Sequence, residues 1–284
     1  MSGSTAGIGF AIAKALAAEG ARVIVNGRLQ ASVAAAKATI EDATKREVDG
    51  FAGDLANGVV AEALASAFPD VDILVNNLGI FDPKPFEEIP DDDWRRFFDV
   101  NVLSGVRLAR LYLPRMRRLD WGRIIFISSE SAIHIPAEMV HYGMTKTAQI
   151  AVARGIAESV AGTGITVNSV LPGPTRSRGV GDFVAAMASQ EGKTIADVET
   201  EFFAKIRPSS LIKRFATPEE VASLVAYVAS PLASATTGAA RRVDGGGGEE
   251  RILDHGQHGQ HGQHGQHGQH GQHGQHGQHG QHGQ

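Results

Sequence analysis

The sequence contains no cysteine, which excludes disulfides, thiolate metal sites and a cysteine nucleophile. No apolar run approaches the ~20 residues of a membrane-spanning helix. The start lacks the basic residues and continuous apolar core of a secretory signal peptide. Positive charge is not in excess: the formal net charge is −4, so there is no electrostatic case for nucleic acid or an anionic membrane as partner. These absences make a protein of the reducing cytoplasm the expectation.

What is present divides in two. Residues 255–284 are ten copies of His-Gly-Gln. Neutral imidazoles are good metal ligands, and glycine recurs at the collagen period but without proline. The plainer reading is a disordered low-complexity tail over 249–284, with no metal site assigned. Residues 1–248 suffice for one large α/β domain, and 42% hydrophobic with 20% charged residues suits a globular fold.

Along that domain, β-branched runs alternate with helical periodicity. "ARVIVNG", "VDGFAGD", "VDILVNN", "GRIIFISS", "GITVNSVLPG" and "TTGAARRVDGG" read as strands. Helices are expected over 10–20, 30–46, 57–68, 91–118, 141–161 and 217–230, the last with Thr217 as N-cap and Pro218 at its first position. Strands separated by helices imply crossovers, a doubly wound parallel sheet, and ligands at the carboxyl ends of the strands. Residues 174–214 break the rhythm and read as a lid.

The chemistry sits at strand ends. Gly3, Gly7 and Gly9 form a GxxxGxG turn running into a helix, an arrangement that lets backbone N–H groups meet a pyrophosphate. An ordinary glycine loop is the alternative. "VNNLG" at 75–79 follows a buried strand; its amides could brace neighbouring strand ends or the adenosine ribose side, and a structural Asx-turn is the plainer alternative. Tyr142 and Lys146 share a helix face. A nearby ammonium is expected to lower the tyrosine pKa from ~10. Ser128 and Ser129 end a strand, where a hydroxyl can bind a substrate oxygen or merely cap a turn. His134 is either a pocket residue or structural.

The ordered set of glycine turn, "NNLG", "NV", "SS", "YGMTK" and "LPG" resembles the short-chain dehydrogenase/reductase family over about residues 2–247. Within it, the chain is similar to the 3-oxoacyl-carrier-protein-reductase-like members. The resemblance implies a Rossmann-type, three-layer fold. It implies that Ser129 polarises a carbonyl or alcohol, that Tyr142 is the general acid in reduction and the base in oxidation, and that Lys146 holds the nicotinamide ribose. Asn101 supports Lys146 through water. Gly3, Ser4, Thr5, Gly7, Ile8 and Gly9 hold the cofactor, together with Asp54, Leu55, Asn77, Gly79, Pro172, Gly173 and Ser177. It also implies a homotetramer pairing through helices 93–118 and 141–161, and a small carbonyl or alcohol substrate, free or bound to an acyl carrier.

Cofactor choice follows from charge. A carboxylate at the end of the second strand of such a fold binds the ribose hydroxyls of NAD. Here that position is Gly27, followed by Arg28, whose guanidinium suits a 2′-phosphate. NADP(H) is therefore expected over NAD(H). Two departures stand out. Only Met1 and Ser2 precede the glycine motif, where the family has a central strand, so the first central strand is expected to be missing. Arg241-Arg242 falls in the last strand, where an apolar residue is expected. The competing reading is an N-terminally truncated, catalytically silent chain acting as a binding or scaffold subunit. The catalytic set argues against it, and the absent strand for it.

Overall fold

In the computed structural model, residues 1–247 are described; the tail expected over 249–284 lies outside them. The elements run, in chain order, α1 (Gly7–Ala18), β1 (Val23–Gly27), α2 (Gln30–Thr44), β2 (Val48–Ala52), α3 (Gly58–Ala67), β3 (Ile73–Asn76), α4 (Asp91–Phe98), α5 (Ser104–Leu119), β4 (Gly122–Ile127), α6 (Val140–Ser159), β5 (Ile165–Pro172), α7 (Arg178–Glu191), α8 (Ile195–Lys205), α9 (Pro218–Ala229) and β6 (Ala240–Val243). Local chemistry sets several boundaries. Asn57 caps α3 through its side chain. Thr217 and Glu220 close a capping box on α9 with Pro218 at its start.

The helix expected over 91–118 is two helices joined by a π-helical turn, Asp99–Leu103. The wider turn carries Asn101 into the interior, where it is 1% exposed; π turns of this kind mark functional sites.

All strand pairs are parallel. β1 pairs with β2, Val23 opposite Val48, and β3–β4–β5–β6 form a four-stranded sheet. Between the facing edges of β1 and β3 run residues 1–4. The Met1 amine donates to the Ile24 carbonyl (3.1 Å). The Ser2 N–H donates to Val75 O (3.1 Å) and the Ser4 N–H to Asn26 O (2.8 Å). Helices cover both faces. On one, α1, α2 and α9 bury Ile12, Leu16, Ile40 and Val225 against Val25, Val75 and Ile125. On the other, α3, α5 and α6 bury Leu64, Leu108, Met116 and Ala153 against Leu74, Ile124 and Phe126. Each fully buried apolar side chain contributes about 1.5–3 kcal/mol.

The arginine pair in β6 is accommodated because β6 is an edge strand. Arg241 is exposed, and Arg242 Nε donates to Asp244 Oδ2 at 2.7 Å. The expected lid contains α7 and α8, which close over a small core of their own with Val184, Val198, Phe203 and Phe215. It leaves and rejoins the body at one point, where Thr175 bridges Ala216.

Candidate active site

Two groups of residues meet at the carboxyl ends of the strands. The first is the glycine turn. Gly3 and Gly7 have φ of 57° and 56°, a region that favours glycine. A Cβ on Gly9 would lie 2.2 Å from Gly3 O and 2.5 Å from Asn77 Nδ2, so no side chain fits there. Asn77 Nδ2 donates to Gly3 O (2.8 Å), and its N–H donates to Ser2 Oγ (2.9 Å). Asn77 thus ties the glycine turn to the end of β3. Ser4 is buried, and its Oγ accepts from the Asn26 N–H at 2.8 Å, so its side chain serves the turn.

Sequence reasoning missed Asn26. Its Oδ1 accepts from the Gly3 N–H (3.1 Å), and its Nδ2 donates to the carbonyls of Phe51 and Gly53 (3.1 Å each). One buried amide thus ties the turn to the ends of β1 and β2. A polar residue inside an otherwise apolar strand was the available signal.

Beside this turn stand the other residues expected around a dinucleotide. Ile8 packs on the α1 core. Arg28 is exposed just past β1, Asp54 is exposed past β2, and Leu55 is buried. A Cβ on Gly27 would lie 2.6 Å from Thr5 Cγ2, so Thr5 occupies the space a carboxylate at 27 would need. Ser177, ahead of α7, stands over the turn: a Cβ on Gly7 would be 3.4 Å from the Ser177 Cβ. Pro172 ends β5, and Gly173 passes so close to Asp244 that a Cβ would lie 2.6 Å from its Cα.

The second group is built by β4, the π turn and α6. Ser129 is 8% exposed, and its Oγ accepts from the Ser131 N–H at 3.1 Å. Its neighbour Ser128 faces the other way, donating to Lys146 O at 2.8 Å. Tyr142 is half-buried, with its phenol near the Ser129 side chain. Burial holds its phenol above the ordinary value, and the nearby Ser129 hydroxyl opposes that. The lowering expected from the ammonium is not what this arrangement gives. Lys146 Nζ lies 5.5 Å from the Tyr142 ring centroid and donates instead to Ile127 O (3.0 Å) and Gln149 Oε1 (3.3 Å). Burial brings the Lys146 pKa down to about 8.

Asn101 Oδ1 accepts from the Ile80 N–H (2.8 Å), and its Nδ2 donates to Thr145 Oγ1 (2.9 Å). Its carbonyl accepts from Gln149 Nε2. Gln149 therefore links Asn101 to Lys146 directly. It was legible only as a polar residue one turn beyond Lys146 on a buried face. Gly79 lies against the same cluster: a Cβ there would be 3.4 Å from Lys146 Nζ. His134 follows Glu130, whose carboxylate receives Arg207 Nε at 2.8 Å and so fastens the far end of the lid to the strand bearing Ser129.

A turn that only glycine can make, over a helix N-terminus and next to a Ser–Tyr–Lys cluster, is an arrangement that can hold a pyrophosphate beside a group able to exchange a proton. A family model described as enoyl-(acyl carrier protein) reductase matches residues 3–247. The chain belongs to the short-chain dehydrogenase/reductase family. It is 46% identical over 250 residues to the uncharacterized oxidoreductase YvaG of Bacillus subtilis (strain 168), covering 87% of this chain and 94% of that one. It is 32% identical over 253 residues to the 3-oxoacyl-[acyl-carrier-protein] reductase FabG of Aquifex aeolicus, covering 87% and 95%. The crystal structure of L-sorbose reductase from Gluconobacter frateurii, complexed with NADPH and L-sorbose, superposes with a TM-score of 0.82 at 30% identity, covering 87% and 94%. This family member is an NAD(P)-dependent oxidoreductase with a Rossmann-like α/β fold.

Proposed function

We propose that the enzyme transfers a hydride between NADP(H) and a ketone or secondary alcohol, with Tyr142 exchanging the proton at the substrate oxygen. The observation that carries this is the meeting of Tyr142, Ser129 and a buried lysine: Lys146 Nζ lies 5.5 Å from the centroid of the Tyr142 ring, whose phenol stands near the Ser129 side chain. When bound, the nicotinamide dinucleotide supplies or accepts the hydride.

The chain's own residues do the rest. The glycine turn, with Thr5 and Ile8, presents backbone N–H groups to a pyrophosphate. Asp54, Leu55, Asn77, Gly79, Pro172, Gly173 and Ser177 flank the same cleft. Ser129, fixed by the Ser131 N–H, directs its hydroxyl at the substrate oxygen. Burial keeps the Tyr142 phenol protonated at neutral pH, the state a general acid needs in reduction. Lys146, oriented by Gln149 and through it by Asn101, places a cation beside that phenol when charged. Arg28 meets a 2′-phosphate, while Gly27 offers no carboxylate to NAD and Thr5 leaves no room for one.

The substrate is a small carbonyl or alcohol, free like the sorbose of the structural relative or carried on an acyl carrier. The working form is a cytoplasmic homotetramer pairing through α4–α5 and α6, with 1–248 as the catalytic domain and 249–284 as a tail. We also read the sheet as one central strand short, between β1 and β3. A silent scaffold is the weaker reading, since Asn101, Ser129, Tyr142 and Lys146 are assembled in one place.

Tyr142→Phe tests the proposal. Turnover should fall at least about 100-fold with NADPH affinity unchanged, because only the hydroxyl is lost. Wild-type kcat in this variant would overturn it.

A further inference from the structure

Single apolar side chains on a surface are ordinary, but four large ones gather around the residues between Ser129 and Tyr142. Phe81, Ile133, Ile135 and Ile206 are between 49% and 61% exposed. Phe81 follows Gly79 and Ile80, and its ring stands edge-on to the Tyr142 ring with 6.3 Å between centroids. Ile135 belongs to the segment that joins Ser129 to Tyr142. It lies over the first turn of α6, where a Cβ on Gly143 would be 2.6 Å from Ile135 Cγ2. An aromatic and an aliphatic side chain, both open to a ligand, therefore border the turn that carries the phenol.

Ile133, Ile135 and Ile206 also line a cavity of about 420 Å³, between that segment and the end of α8. At the ~30 Å³ that a water-sized group takes up, this is room for about ten to fourteen such groups. Exposed apolar walls around a concave site mark the binding of a ligand.

The charged residues of this cavity are spent on each other. Glu130 is buried and receives Arg207 Nε at 2.8 Å, and Arg207 Nη1 donates further to Ile206 O at 3.0 Å. They form part of the wall as a neutral pair. A carboxylate placed there would meet Glu130, and an ammonium would meet Arg207, so the pair disfavours an ionised arm of either sign. A polyhydroxylated arm fares no better on the apolar side. Its hydroxyls would exchange water for phenylalanine and isoleucine side chains that offer no hydrogen bond, at a cost for each hydroxyl.

We propose that the substrate is a ketone or secondary alcohol bearing an uncharged apolar arm of up to about ten carbons, an alkyl or aryl-alkyl chain lying on Ile133, Ile135 and Ile206, with Phe81 flanking the reacting carbon. This rests on the carbonyl–alcohol reading above and selects among its substrates: polyhydroxy ketones are the class it excludes.

The test uses the full-length chain and two readouts. The first is kcat/KM with NADPH for 2-butanone, 2-hexanone, 2-octanone and L-sorbose. Burial of one CH2 is worth up to about fourfold, so kcat/KM should rise about two- to fourfold per added CH2. 2-Octanone should then exceed both 2-butanone and L-sorbose at least about tenfold. Ile135→Asn and Ile206→Asn should each flatten the series with little change in Tm, since both side chains are about half exposed. The second readout is binding in the presence of NADP+, which cannot reduce a ketone. Saturation-transfer NMR should show 2-octanone bound and L-sorbose unbound. A flat ketone series, a preference for L-sorbose, or a series unchanged in both variants would overturn the proposal. The two readouts separate the two readings. 2-Octanone bound but never reduced would uphold the apolar arm and overturn the hydride transfer. L-sorbose reduced while 2-octanone neither binds nor reacts would uphold the hydride transfer and overturn the apolar arm.

Discussion

In the four-stranded half of the sheet, β3 to β6, neighbouring strands are hydrogen-bonded in continuous register, and β4 and β5 are buried along their whole length. Ser129, Tyr142, Lys146 and Asn101 all hang from this half or from helices packed on it. The two-stranded half, β1 and β2, carries Gly27, Arg28 and Asp54. It joins the rest through residues 1–4, Asn26 and Asn77. The proposed catalytic cluster is thus assembled within one half, whereas the proposed dinucleotide cradle spans the seam between the two. Changes at the seam should weaken cofactor binding and stability together. Changes in the larger half should weaken turnover with the cradle intact.

The largest expected effect is at the seam. Asn26→Ala strands the Gly3 N–H and the Phe51 and Gly53 carbonyls, at a cost of about 2–4 kcal/mol, read as a loss in urea midpoint with unchanged m. NADPH KM should rise in the same variant. A normal KM after a large stability loss would mean that the turn does not depend on the seam.

Arg28→Leu comes next. It should lower the ratio of kcat/KM for NADPH over NADH about ten- to a hundredfold, since two charge-assisted hydrogen bonds are lost at an exposed, salt-screened position. Measurement at fixed ionic strength decides it, and an unchanged ratio would remove Arg28 from cofactor choice. Converting Gly27 to Asp to favour NADH should succeed only with Thr5→Ala, because Thr5 fills that space.

In the four-stranded half, Gln149→Leu cuts the link from Asn101 to Lys146. We expect kcat to fall about tenfold, consistent with loss of one oriented hydrogen bond near a charge, with NADPH KM little changed. A rise in KM alone would contradict the division between the halves.

The smallest effect is at His141. This ring is fully buried, with Phe97 at 4.0 Å and Trp94 at 6.0 Å between centroids, and neither ring nitrogen has a hydrogen-bond partner. Burial lowers its pKa, against the opposing pull of Asp93 and Asp82. As pH falls below about 6.5, the unfolded chain takes up a proton that the folded chain refuses, so stability is lost on acidification. His141→Phe should remove that loss and make the drop in Tm between pH 7 and 5 smaller by on the order of 2 °C. An identical drop in both proteins would show that His141 does not titrate on unfolding.

Much of this was legible in the sequence. Periodicity placed every strand of the described residues within a few positions, and the four residues of the proposed catalytic set lie together in space although they are spread from 101 to 146. What was not legible depends on contacts without period. Asn26 and Gln149 owe their roles to partners far along the chain, such as Gly3 for Asn26 and Asn101 for Gln149. The break in the helix over 91–118 comes from one wide turn that propensity does not register. Ser128 and Ser129 look alike in sequence and are separated only by the alternation of a strand end. The tyrosine pKa direction depended on burial, which outweighs a lysine whose amine is turned toward a carbonyl.

The division of labour is tested most directly by titrating NADPH into wild type, Gly9→Ala and Tyr142→Phe by fluorescence energy transfer. The Cβ added at Gly9 would press on Gly3 O and Asn77 Nδ2, so Gly9→Ala should weaken binding at least about tenfold, the effect of a single displaced close contact. Tyr142→Phe should bind as wild type while failing to oxidise the cofactor in the presence of a carbonyl substrate. Normal NADPH binding by Gly9→Ala would show that the glycine turn is not the cradle, and the account would fall with it.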